Sequence, residues 1–266
     1  MAGDVWDILL PSWAWLDVPD VGRNNASGGD GRGILCFQHK LPSIVFSTGG
    51  YTGNVYHEFN DGLLPLYIKS QHLHGQVVLV ILEYHSWWVT KYGEIIGQVT
   101  NYPVIDFRKN KRVHYFPEMI VGLNIHDELS VKLELMKDGK CIKDFRELVR
   151  KAYAPIFSSM PQTQSITKEQ SFPLRHSRLV SQLGKPKLVN ISREKSRKMM
   201  NQKEIVKLAK KFGFEVEILT PKRSTQMVEM FRALNSCDVM VGVHGATMTH
   251  LLFMRPGFVF IQIVSK

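Results

Sequence analysis

Lys187-Leu188-Val189-Asn190-Ile191-Ser192 is a strand-sized apolar run, and the stretch it opens decides the fold. Gln202 to Phe212 follows, with Ile205, Leu208, Ala209 and Phe212 on one helical face. Phe214 to Leu219 is strand-like again. Thr225 to Asn235 is helical, with Val228, Phe231 and Leu234 inward. Asp238 to Val243 is a strand, Ala246 to Met254 a short helix, and Phe258 to Val264 a last strand. Strands that alternate with helices in this way predict a doubly wound, largely parallel sheet.

Working outward, the first half repeats the beat less regularly. Ile44-Val45-Phe46 is a short strand that ends at Ser47-Thr48-Gly49-Gly50. Val55 to Gln71 has helical spacing, and Pro65 predicts a kink or break in it. Val77 to Leu82 is a continuous apolar run, as in a strand buried on both faces. Trp87 to Gln98 and Asp144 to Ala152 read as helices; Val104-Ile105 and Met119 to Val121 read as short strands. Four segments follow: an irregular 1–35, an α/β domain over 36–154, a Ser-, Gln- and Pro-containing linker over 155–186, and an α/β domain over 187–266.

The 266 residues are 44% hydrophobic and 22% charged, which excludes disorder for most of the chain. Three cysteines without a spacing motif exclude a disulfide scaffold or a cysteine-rich zinc module. No apolar run approaches membrane-span length, and the first ten residues lack the marks of a signal peptide. The net charge is +10, concentrated between Lys137 and Arg223, where 21 Lys and Arg face 8 Asp and Glu. That points to an anionic partner or to a solvated basic face. Nucleic acid is disfavoured, because neither an aromatic-interleaved RNA-binding signature nor zinc-finger spacing is present.

Ligands of open α/β sheets bind beyond the carboxyl ends of the strands. There the second half carries Arg193, with Arg197 nearby, and Gly242-Val243-His244-Gly245-Ala246. Small residues let a ligand approach the backbone, a helix start favours an anion, and guanidinium groups neutralise diphosphate. Arg193, Arg197, Gly242, His244, Gly245 and Ala246 are therefore candidate phosphate-site residues. The alternative is that the glycines only allow a tight turn. The segment is neither a dinucleotide fingerprint nor a P-loop. In the first half a glycine-rich turn leads into His57, Glu58 and Asp61. His57 and Asp61 share a helix face. Asp61 stands where a zincin protease needs its second His, so the better reading is general-base work. The competing reading is a helix cap with a surface His–Asp pair.

Phe46-Ser47-Thr48-Gly49-Gly50-Tyr51-Thr52-Gly53-Asn54-Val55-Tyr56-His57-Glu58-Phe59-Asn60-Asp61-Gly62 resembles the plant members of glycosyltransferase family 61. So do Ile81 to His85 through Trp88, Asp144-Phe145-Arg146, Ile191-Ser192-Arg193, and Ala233-Leu234-Asn235 through His244-Gly245-Ala246. The resemblance runs from about Cys36 to Gln262. It implies a GT-B-like pair of Rossmann-type domains and an inverting transfer of a pentose, arabinose or xylose, from a UDP-sugar. The resemblance further implies a xylan or N-glycan hydroxyl as acceptor and the Golgi membrane as location, in company with other Golgi glycosyltransferases. Arg193, His244, Gly245 and Ala246 would line the donor site. Asp61 is the preferred base, with Glu58 and His57 as rivals. No metal or other cofactor is demanded, since no Asp-x-Asp sits at a strand end.

Two departures accompany the resemblance. Residues 1–35 do not match the family and show no anchor, and family chains continue past the strand at Phe258–Val264. The expectation is a chain truncated at both ends, with an incomplete C-terminal domain and an exposed apolar sheet edge. A catalytically impaired relative that acts as a binding or partner subunit is the second reading. Asn25-Ala26-Ser27 and Asn190-Ile191-Ser192 are glycosylation sequons, the second inside an expected strand.

Overall fold

The computed structural model describes residues 23–26, 34–48, 50–136, 138–159, 184–194 and 196–264. The chain divides into two compact units, Met1–Ala152 and Tyr153–Lys266.

In the first unit β1 (Arg23–Ala26) pairs antiparallel with β2 (Ile34–Gln38), and β2 pairs in parallel with β6 (Val113–Tyr115). A second sheet contains β3 (Ser43–Phe46), β4 (Val78–Ile81), β5 (Ile105–Asp106) and β7 (Met119–Val121). Its order is β5-β4-β3-β7, with every pair parallel. All four residues of β3 and all four of β4 are buried, which is why these strands read as continuous apolar runs rather than alternating ones. The three-stranded sheet was not expected. Its short β6 exposes Val113 and Tyr115, so no apolar pattern marks it in the sequence.

The helix after β3 has three consecutive parts: α1 (Val55–His57), a π-helical turn (Glu58–Leu63) and α2 (Leu64–Ser70). Pro65 does not break it. Without an N–H, Pro65 cannot bond the carbonyl of Asp61, and its ring would crowd that group. The widened turn just before it is a local answer to that conflict, with the Leu64 N–H reaching back five residues to Phe59 O. Phe59 then packs edge-on against Tyr92 of α3 (Ser86–Ile96) and Phe145 of α4 (Ile142–Ser159). α4 outlasts its expected end at Ala152 and runs through Pro155 to Ser159, so the first five residues of the expected linker are helical. Residues 160–183 of that linker lie outside the described residues, as do 1–22.

The second unit has β8 (Lys187–Ile191), α5 (Gln202–Lys211), β9 (Glu215–Leu219), α6 (Met227–Asn235), β10 (Val239–Val243) and β11 (Val259–Ile263). The order is β11-β10-β8-β9, parallel throughout. The expected short helix is a 3-10 helix, Ala246–Phe253. Its Thr247 and Thr249 are β-branched, and His250 Nδ1 takes up the Thr247 carbonyl at 2.8 Å, both unfavourable to α-helical winding. Tyr153 packs on Phe231 and Phe253, a contact that fixes the helix just beyond Ala152. Edge strand β11 leaves Val259 and Ile261 exposed. Asn190 is fully buried, and its Oδ1 accepts from Gln202 Nε2, so in this fold that sequon is closed to modification. Among the described residues no helix is long and apolar enough to cross a membrane.

Candidate functional site

Strand order, which the sequence does not display, fixes where a ligand can sit in each unit. In the first unit the chain steps from β3 outward to β4 and β5, then returns to β7 on the other flank of β3. The reversal therefore lies between β3 and β7. In the second unit it lies between β8 and β10. Crevices at such points, beyond the carboxyl ends, are where open α/β sheets bind ligands.

Beyond β3, Thr48 Oγ1 donates to the Glu83 carbonyl at 2.8 Å and Ser47 Oγ to Glu83 Oε2 at 3.2 Å, tying the loop to the segment after β4. Gly53 has φ of 102°, a conformation that disfavours any side chain. Its N–H donates to Glu58 Oε1 at 2.5 Å, and the Trp88 indole N–H donates to Glu58 Oε2. Glu58 is only 3% exposed. Burial raises its pKa, opposed by the Gly53 and Trp88 hydrogen bonds. Both carboxylate oxygens are thus engaged inside the fold, where Glu58 joins the glycine-rich loop to α3.

His57 and Asp61 lie on the open side. His57 Nδ1 is 2.6 Å from Asp61 Oδ2, and Asn60 Nδ2 donates to Asp61 Oδ1 at 2.6 Å. Asn60 Oδ1 in turn accepts the Leu129 N–H at 2.7 Å, which links the pair to the segment after β7. The Tyr51 ring stacks on His57 with centroids 4.4 Å apart. An imidazole bound to carboxylate through Nδ1 presents Nε2 outward, the arrangement that lets a histidine accept a proton from a hydroxyl. Asn60 escaped the sequence reading because its partner is distant in the chain. Trp88 entered there only as the end of a family-like stretch.

At the second reversal Arg193 and Arg197 converge on Gly245. A Cβ at Gly245 would lie 2.5 Å from Arg193 Nη1 and 2.6 Å from Arg197 Nη1, and Gly245 has φ of 146°. The positive φ disfavours any side chain, and a Cβ would push the two guanidinium groups aside. Arg193 Nη2 reaches Ser196 Oγ at 3.3 Å, and Arg197 Nη1 reaches the His244 carbonyl at 3.4 Å. Arg193 Nη1 is buried without a hydrogen-bond partner, and so is Thr247 Oγ1. Among the described residues neither arginine is ion-paired. The Gln262 side-chain amide meets His244 Nδ1, and when the amide donates, His244 Nε2 carries the proton. Ala246 opens the 3-10 helix. This corner thus offers guanidinium groups and an imidazole, with an N–H and a hydroxyl unanswered, the donor chemistry an anion satisfies. Gly242 is different. A Cβ there would fall 2.5 Å from Met248 Cε and 3.2 Å from Ile191 Cβ, so its small size serves internal packing. Thr247 and Gln262 were missed in the sequence, where nothing distinguishes them from ordinary helix and strand residues.

A family model described as Glycosyltransferase 61 matches residues 56–261, a span that holds His57, Asp61, Arg193 and Gly245. The chain belongs to the glycosyltransferase 61 family. Xylan glycosyltransferase MUCI21 of Arabidopsis thaliana is 49% identical to it over 85% of this chain and 45% of that protein. Beta-1,2-xylosyltransferase XYXT1 of Oryza sativa subsp. japonica is 35% identical over 85% of this chain and 45% of that protein. Alpha-1,3-arabinosyltransferase XAT3, also from Oryza sativa subsp. japonica, is 34% identical over 85% of this chain and 37% of that protein. The chain spans less than half the length of each of these relatives. As a glycosyltransferase 61 chain it matches the resemblance read from its motifs, and its plant relatives carry xylan-directed and pentosyl activities in their names.

Proposed function

We propose that the chain transfers a pentose, arabinose or xylose, from a UDP-sugar to a hydroxyl of a xylan or related glycan, with inversion. The two units serve as the acceptor-side and donor-side domains of a GT-B-type enzyme working in the Golgi alongside other glycosyltransferases. The observation that carries this reading is the unanswered Arg193 Nη1 beside Gly245 at the reversal point of the second sheet. Arg193 and Arg197 hold the diphosphate, His244 Nε2–H and the Ala246 end of the 3-10 helix meet its oxygens, and Thr247 Oγ1 adds a hydroxyl.

In the transfer step the acceptor hydroxyl loses its proton to His57 Nε2. Asp61 holds the imidazole by its Nδ1 and balances the charge it gains. The acceptor oxygen bonds to C1 of the sugar as the bond from C1 to the phosphate oxygen breaks. The electron pair leaves with UDP, and the arginines neutralise the charge that develops there. No step needs a resident metal or other cofactor from these residues. This reading makes Asp61 the positioning partner and His57 the proton acceptor, where the sequence favoured Asp61 itself.

The test is calorimetric titration of UDP into the full chain and into Arg193→Ala. Transfer assays with UDP-arabinose and UDP-xylose on xylo-oligosaccharides follow. UDP binding that is lost in the variant, with pentose transfer by the wild type, is expected. A folded wild type that binds no UDP overturns the reading. Binding without transfer leaves the alternative of a non-catalytic binding or partner subunit.

A further inference from the structure

The first unit holds a cavity of about 1100 Å3 that the transfer chemistry does not use. Val78, Pro103, Val104 and Ile105 supply apolar wall. Phe37, His39 and His114 supply rings, which stack in a ladder that continues to Phe116. Successive centroids lie 5.5 Å apart for Phe37 and His114, 5.1 Å for His114 and His39, and 4.2 Å for His39 and Phe116. Arg112 lies over Phe37 at 4.9 Å.

The cavity's charge is one-sided. Lys40, Lys109, Lys111 and Arg112 line it, against one carboxylate, Asp106. Asp106 Oδ1 accepts the N–H groups of Arg108 and Lys109, and its Oδ2 lies 3.9 Å from Lys109 Nζ, so it answers its own loop. Among the described residues Lys40, Lys111 and Arg112 have no ion-pair partner. Most of this charge comes from the run Arg108-Lys109-Asn110-Lys111-Arg112, which lies outside the basic middle of the chain. His39 Nε2 and His114 Nδ1 are 2.8 Å apart. Whichever ring donates, His114 Nε2 remains, buried and without a partner. Burial lowers the pKa of both rings, so the pair is neutral and open to a ligand's hydrogen bond.

We infer that this cavity is a binding site for an acidic glycan, a stretch of sugar chain bearing uronate carboxylates. Its size is at or above the upper end of single-ligand pockets, which suits several linked sugars better than one small molecule. The ring faces are taken up by one another and by Arg112, so the ladder supplies apolar wall rather than a stacking platform. A short Lys- and Arg-rich run suits acidic glycans as it suits nucleic acid. A glycan is favoured because the chain belongs to a glycosyltransferase family whose relatives are named for xylan. The inference rests on the proposed function for its choice of glycan, and not on the donor site.

The experiment titrates three probes into the full chain: a neutral xylo-oligosaccharide, the same backbone bearing glucuronate, and an oligothymidylate of similar charge. UDP is titrated in parallel. The glucuronate-bearing probe should bind at least tenfold tighter than the neutral one. In the double variant Lys111→Ala/Arg112→Ala that advantage should vanish while UDP affinity is unchanged; both side chains are exposed, so folding is spared. A second variant, His114→Phe, keeps the ring ladder and removes the unanswered nitrogen together with the bond to His39; it should lower affinity for both sugars alike. Equal affinity for neutral and acidic sugars, a preference for the oligothymidylate, or no sugar binding by a chain that binds UDP overturns the inference. Sugar binding without UDP binding overturns the donor-site reading and leaves this one standing.

Discussion

The two reversal points are alike in topology and opposite in how far their polar groups are satisfied. At the first, donors and acceptors answer one another: His57 with Asp61, Asp61 with Asn60, Asn60 with Leu129, Glu58 with Gly53 and Trp88. At the second, Arg193 Nη1 and Thr247 Oγ1 are buried and unanswered, and two arginines share one corner with no ion pair among the described residues. A closed network fixes side chains before substrate arrives, which suits a proton carrier whose geometry must not drift. An open cationic corner costs stability until an anion fills it, which suits a group that must hold a leaving diphosphate.

The largest expected effect separates the two corners. Asp61→Asn should lower turnover by about 10²- to 10⁴-fold, the usual worth of general-base catalysis, with UDP affinity unchanged in calorimetry. A parallel fall in UDP affinity would merge the corners and break the contrast. Next in size, Arg193→Ala should weaken UDP binding about 100-fold, through loss of charge-assisted hydrogen bonds. If thermal unfolding without UDP shows the variant more stable than wild type, the cost of an unanswered guanidinium is confirmed.

Glu58→Gln tests the closed network. An amide nitrogen in place of one oxygen faces the Trp88 N–H donor with another donor, so the variant should lose about 1–3 kcal/mol of stability. The sign of the pH dependence follows from its raised pKa. Between the ordinary glutamate value and the raised one, the folded state holds a proton that the unfolded state has released. Stability therefore falls as pH rises through that window, and Glu58→Gln should remove this part of the slope in unfolding titrations. The smallest effect is that of Gly242→Ala. Its Cβ displaces the flexible end of Met248 and presses on Ile191, costing about 1 kcal/mol with UDP affinity intact. A large loss of affinity there would return Gly242 to the ligand.

The second sheet was legible because each strand is a short apolar run bounded by an amphipathic helix, and every one of its strands falls within a residue or two of its expected bounds. The order of those strands was not, because register and order are set by how crossovers pack, not by any strand's own residues. For the same reason His57 and Asp61 could be paired from a four-residue spacing, whereas Glu58 could not be told from them: its partner Trp88 is 30 residues away. Gly242 and Gly245 look equivalent in the sequence; only Met248 on one side and two guanidinium groups on the other distinguish them. The sheet of β1, β2 and β6 left little trace because β6 is short and exposed two of its three side chains.

The π-helical turn at Glu58–Leu63 gives the helix one residue more than regular α-helical winding needs. In the language of insertions and deletions, the segment carries a spare residue. Removing one position there would restore regular winding at no loss of helix length. Beside Pro65, however, regular winding would bring the proline ring back against a carbonyl, and a cut between His57 and Asp61 would shorten their spacing from four residues to three. A change of a single codon would thus reach the packing and the chemistry together.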